Sequence, residues 1–131
     1  MSYKITKKHF KIFKSAVQDW LEIYGLKDWL VNIEYGIDKD YRDGFNGDVK
    51  ALCVSNLIGM QSAILIDDKW DDEPTEQKLK ETAFHEVTEL LLAPLNIMAV
   101  SRYVTESEID TARHAIIQRL YNTVCQDKYR K

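Results

Sequence analysis

The sequence predicts an α+β domain with an N-terminal helix, a three-stranded mixed sheet, a long helix carrying a cluster of ionisable residues, and a C-terminal helix backing it. Three observations support this. Apolar residues recur at helical spacing near the N-terminus and through the second half, they alternate with a period of two between Trp29 and Asp67, and turn-forming residues separate these tracts. At 131 residues there is room for one domain with a proper core and too little for two, so residues 1–131 are read as a single domain.

Thr6 is placed to cap a first helix whose apolar positions are Phe10, Phe13, Val17, Trp20, Leu21 and Tyr24, with Gly25 as its stop. Trp29, Val31, Ile33, Tyr35 and Ile37 then alternate as one face of a strand. Two glycines and several charges make Asp38 to Gly47 a long connecting loop. A strand of about Asp48 to Ile58 follows, then a tight connection at Gly59-Met60 and a strand from Ser62 to Asp67, which together form a hairpin. The acidic turn from Asp67 to Pro74 opens a helix from about Thr75 to Leu92, because proline and acids suit a first helical turn, and Pro94 is expected to stop it. Thr105-Glu106-Ser107-Glu108 has the form of a capping box for a last helix reaching about Cys125.

Composition narrows the function classes. A net charge of −3, with both signs mixed along the chain, gives no strong case for nucleic acid or an anionic membrane as partner. The basic groups Lys7-Lys8 and Lys128-Tyr129-Arg130-Lys131 lie at the ends and read as solvated termini. Cys53 and Cys125 form no Cys-x-x-Cys pair and read as free thiols. The first nine residues lack the apolar run of a secretory signal and no stretch approaches membrane-spanning length, so a reducing cytoplasm is the expected location.

The chemistry concentrates at His85-Glu86-Val87-Thr88-Glu89. Residues four apart stack on one face of a helix, so His85 and Glu89 can grip one metal ion while Glu86, one position round, addresses a water bound to it. A catalytic zinc takes three protein ligands and keeps one position open. His114 completes that count: Ile117, Tyr121 and Val124 follow it at spacings of three, seven and ten, which turns its ring to the side of an apolar stripe and therefore inward. Glu108 and Asp110 are its rivals, although Glu108 has a capping role and Asp110, one turn before His114, is better placed to hold its ring. The bland alternative is an ordinary i,i+4 pair of His85 and Glu89 on a solvated face, with Glu86 a helix-favouring acid. Against it, Val87, Leu90 and Leu91 make part of this helix buried, and charged groups there need partners. Arg102 and Tyr103, between the two helices, are weaker candidates for stabilising an oxyanion, and His9 sits among lysines on the polar side of the first helix.

The stretch Phe84-His85-Glu86-Val87-Thr88-Glu89-Leu90-Leu91, the order of helix, three strands, motif helix and backing helix, and the run from His114 to Leu120 resemble the zincin-like metallopeptidases. Among these, the compact SprT-like and phage-encoded metallopeptidases are of similar size. Zincins usually carry His-Glu-x-x-His and take a third ligand, often Glu, from a later helix. Here Glu89 stands for the second His and His114 for the later Glu, so two imidazoles and one carboxylate remain. The resemblance implies a minimal zincin-like domain with Zn2+ held by His85, Glu89 and His114 and with Glu86 as catalytic base. It implies hydrolysis of a peptide bond in an extended peptide or protein substrate by metal-activated water, in the cytoplasm or, for a phage-encoded chain, the host cytoplasm. None of the Cys ligands or basic extensions of a DNA-repair protease acting on crosslinked protein is present.

The runner-up is a catalytically inactive zincin-fold binding module or structural metal protein. An all-helical carboxylate metal protein is disfavoured by the strand-like tracts from Trp29 to Asp67. If the Ser62 strand pairs with the Trp29 strand, the Asp48 to Ile58 strand is left at the sheet edge beside the motif helix, where an extended peptide can add as a further strand under the Asp38 to Gly47 loop.

Overall fold

The computed structural model describes residues 2–37, 49–101 and 103–129. In chain order its elements are β1 (Tyr3–Lys4), α1 (Lys7–Ile23), β2 (Leu30–Tyr35), β3 (Ala51–Asn56), β4 (Gln61–Ile66), β5 (Lys69–Trp70), α2 (Glu76–Val100) and α3 (Glu106–Leu120). A five-residue π-helical turn, Tyr121–Cys125, then leads into the short α4 (Gln126–Tyr129). This is an α+β fold on a small mixed sheet. The expected loop from Asp38 to Gly47, the start of the next strand at Asp48, and Arg102 lie outside the described residues.

The local signals act as read. The Thr6 hydroxyl accepts the His9 N–H at 3.3 Å while the Thr6 N–H donates to His9 Nδ1 at 3.0 Å, a reciprocal cap that gives His9 its role. Gly25 takes φ +66° just after α1, a left-handed conformation that suits glycine. The three-stranded sheet has the order β2-β4-β3, with β2 parallel and β3 antiparallel to β4. Among the described residues β3 is therefore an edge strand. Val31, Ile33, Ala51, Cys53, Ile64 and Ile66 share the face that joins the core with Phe13, Val17, Leu79, Val87 and Leu90 of the helices.

The ribbon of β1 and β5 was not foreseen, because two-residue strands leave no alternation to read. It helps to bury Ile5, whose carbonyl accepts the Tyr35 hydroxyl at 2.7 Å. Pro74 precedes the N-cap Thr75 and stays outside the first helical turn. The larger correction concerns Pro94, which lies inside α2 and does not stop it at Leu92. Proline removes one N–H and its bond to the carbonyl four residues back, a cost of about 3 kcal/mol. Continued packing offsets it: Ala93 is buried and Leu95 packs on the core.

The extension also overturns the expectation that no stretch approaches membrane-spanning length, since α2 with its 25 residues is long and apolar enough by length and composition alone. Its buried residues Leu79, Ala83, Val87, Leu90 and Leu91 belong to the same core as α1 and the sheet, the behaviour of a core helix.

Candidate metal centre

The rotational setting of α2 decides where each pentad residue points. Phe84 meets the Trp20 ring edge-on at 4.8 Å, and the Thr88 hydroxyl lies 3.3 Å from the Tyr24 hydroxyl, which fixes that side of the helix against α1. Leu79, Ala83, Val87 and Leu90 form the buried stripe. Glu86 falls on the same stripe, at helical spacing from Leu79, Ala83 and Leu90, and is only 5% exposed. His85 and Glu89, one position to the side, reach solvent, with 69% and 52% of their side chains exposed.

The three side chains form one group. His85 Nε2 lies 3.3 Å from Glu89 Oε1. Ligand atoms from all three residues lie within 4.8 Å of one another. Burial pushes the Glu86 carboxyl up to about 8, with the charge of Glu89 and the hydrogen bond to it acting in the same direction. Glu86 Oε2 is buried and has no hydrogen-bond partner. A buried carboxylate oxygen left unpaired is costly, and a cation beside it removes that cost and favours the ionised form. On this count the residues present fit a divalent cation, with imidazole and carboxylate donors of the kind zinc accepts.

The group opens onto a cleft of about 750 Å³ between α2 and the edge strand, lined by Ala51, Cys53 and Ser55 of β3 and by α2 from His85 to Ala99. A smaller hollow of about 480 Å³ adjoins it towards Lys50, Glu81 and Thr82. The backbone of β3 is oriented for contact there. The Asp67 N–H donates to the Lys50 carbonyl, so even-numbered residues of β3 bond to β4 and the N–H and C=O groups of Ala51, Cys53 and Ser55 point out of the sheet.

His114 is not among these residues. Its side chain is 64% exposed, and its Nδ1 lies 2.8 Å from the Asp110 carbonyl and 3.6 Å from the Asp110 carboxylate. The buried residues of α3 are Ala112 and Ile116, and a residue midway between them lies roughly 200° round the helix from each. The expectation that His114 faces inward with Ile117, Tyr121 and Val124 is thereby corrected, since all three are exposed. α3 carries two apolar stripes at equivalent spacing, and the one with small Ala112 is turned inward, as suits close packing.

The other candidates are engaged locally. The Glu108 carboxylate accepts the Thr105 hydroxyl at 3.2 Å, Asp110 is paired with Arg113, and Tyr103 is exposed on the connection after α2.

Cys53, a free thiol, lines this cleft, and the buried Ser62 stands behind it, its hydroxyl 3.5 Å from the Cys53 sulfur and 3.3 Å from the Ser55 hydroxyl. Burial raises the Cys53 thiol, hydrogen bonds from Ser62 and Ser55 counter that, and the charges of Glu86 and Glu89 raise it further. The signal was present in the alternation of Ala51, Cys53 and Ser55, which puts all three on the face towards α2. No protein-family model, curated protein or solved structure matches this chain.

Proposed function

We propose that this chain is a zinc-dependent metallopeptidase in which His85 and Glu89 hold the metal and Glu86 is the general base. The observation that carries the reading is Glu86: a carboxyl on the packing stripe of a core helix, its Oε2 unpaired, beside an exposed His–Glu pair at the head of a cleft. An apolar residue would pack at such a position without that penalty, so a carboxyl there suits a functional group. Zinc, when bound, supplies Lewis-acid polarisation of the scissile carbonyl and acidifies a water. Glu86 takes the proton of the attacking water and delivers it to the leaving amine. Ala51, Cys53 and Ser55 offer backbone donors and acceptors to an extended peptide added at the β3 edge, which places a peptide bond alongside Glu86. With His114 on the outer face of α3, His85 and Glu89 are the side chains that would hold the metal, fewer than a catalytic zinc usually takes.

A second reading is favoured by one observation, the mutual proximity of donors from His85, Glu86 and Glu89. If all three hold the metal no base remains, and the chain is a binding module or structural metal protein. Glu86→Gln separates the two. In the enzyme, hydrolysis of unfolded protein substrates is abolished and zinc content by elemental analysis is kept; in the binding module zinc content falls. Equal turnover by wild type and variant overturns the peptidase reading.

A further inference from the structure

Along the face of α2 that meets β3, the side chains change character one turn past the metal group. His85, Glu86 and Glu89 are followed at helical spacing by Leu92, Ala93 and Ile97. Leu92 is 43% exposed although it stands on a helix that otherwise buries its leucines well, and it lines the same cleft as Glu89 and Ser55. The opposite end of the groove, at Lys50, Glu81 and Thr82, is polar. Cleft and edge strand are in register. Ser55 directs its backbone out of the sheet and its side chain to the α2 side, and residues directly opposite each other in neighbouring strands share a face. A peptide residue paired with Ser55 therefore turns its side chain towards Leu92 and Ile97.

We propose that this end of the cleft is a side-chain subsite for a large aliphatic or aromatic residue of an extended peptide, so that the substrate class is peptides with such a residue beside the reacting bond. The proposal rests on the peptidase reading for the word substrate, but the binding it describes does not need the metal. Leu92, Ala93 and Ile97 give the guest an apolar wall, and the volume of about 750 Å³ leaves room for the peptide backbone as well as a side chain. The backbone groups of Cys53 and Ser55 supply the affinity that is independent of sequence, and the apolar wall supplies the selection.

The test uses fluorescein-labelled peptides of a Gly/Ser host carrying one central Leu, Phe, Ala or Glu, so that the guest alone sets the register. Binding to the full chain is followed by anisotropy with added zinc and with chelator. The Leu and Phe peptides should bind about tenfold more tightly than the Glu peptide, the scale expected for burying one such side chain. Leu92→Gln should bring all four peptides to within about twofold of one another, with Ile97→Gln as a second variant if the first lowers the melting temperature. Amide shifts in wild type on adding the Leu peptide should fall at Ser55, Leu92 and Ile97. Equal affinity for Leu and Glu, no binding of any peptide, or shifts confined to another face overturns the subsite. Zinc content of the same preparations keeps the two readings apart: zinc bound without ranking removes the subsite alone, and ranking without zinc removes the metal reading alone.

Discussion

α2 and α3 carry nearly the same local motif. Each has a histidine paired with an acid one helical turn away, His85 with Glu89 and His114 with Asp110, and the side chains are comparably exposed at 69% and 52% against 64% and 50%. In isolation neither pair is more than a helix-surface interaction worth a few tenths of a kcal/mol. The difference lies beside them. Next to the first pair, Glu86 is buried, lacks a partner for one oxygen and faces a cleft along an edge strand; next to the second, Arg113 satisfies Asp110 and Ala112 is packed. The lesson is that the first pair is set apart by a neighbouring carboxyl with no comfortable place in the fold, and spacing alone does not find it.

The strongest way to break this comparison is to neutralise each acid. The folded state raises the Glu86 pKa from 4.5 to about 8, so the folded chain holds the extra proton. Its contribution to stability is complete below about pH 4.5 and is lost as pH rises through about 8, where the loss is roughly 4 to 5 kcal/mol. With chelator present, Glu86→Gln should match wild type near pH 4 and exceed it by that amount at pH 8 in urea denaturation. Asp110→Asn should change stability by no more than about 0.5 kcal/mol at either pH. A flat Glu86 difference across this range contradicts its burial as an ionisable group.

Zinc affinity sharpens the comparison next. His85→Ala or Glu89→Ala should weaken binding by about a hundredfold, or ~2.7 kcal/mol, while His114→Ala stays within about twofold. The swap Glu89→His with His114→Glu should behave as Glu89→His alone, because the two sites do not share the ion. Recovery of affinity in the double variant, read as a strong coupling by titration calorimetry, would restore His114 as a ligand. Since Glu86 is largely protonated without metal at pH 7, zinc uptake should also release close to one proton, visible as a dependence of the binding heat on buffer ionisation.

The smallest effect is expected at the edge strand. Ser55→Pro removes an outward N–H and should weaken binding of an extended peptide about tenfold with zinc content unchanged. Asn56→Pro instead removes an N–H that faces β4 and should lower the melting temperature. Retained peptide affinity in Ser55→Pro places the substrate elsewhere.

Much of the fold was legible because its signals are local. Thr6, Gly25, the alternation from Trp29 to Tyr35 and the Gly59-Met60 turn each act over a few residues, and the edge position of β3 followed from the hairpin and one further pairing. What failed depended on packing: whether α2 survives Pro94 is set by what Leu95 meets beyond it, and which stripe of α3 turns inward by how closely that helix packs on its neighbours. Within the site, the pairing of His85 with Glu89 could be read from spacing. The isolation of Glu86 Oε2 depends on everything packed round it.

Arg119 reaches from the end of α3 to the corner after α1, donating to the Gly25 carbonyl and, at 3.1 and 2.8 Å, to both oxygens of Asp28. Counted along the chain these partners are 94 and 91 positions apart. In the language of polymers, it is a tie across one of the widest rings the backbone can form, and closing such a ring costs chain entropy that the packing of the interior has already met. The ends of that ring enclose the strand edge and α2 alike. Because half of the tie is bathed in solvent, added salt slackens it, and the far end of the chain is then the first part to come undone while the interior holds.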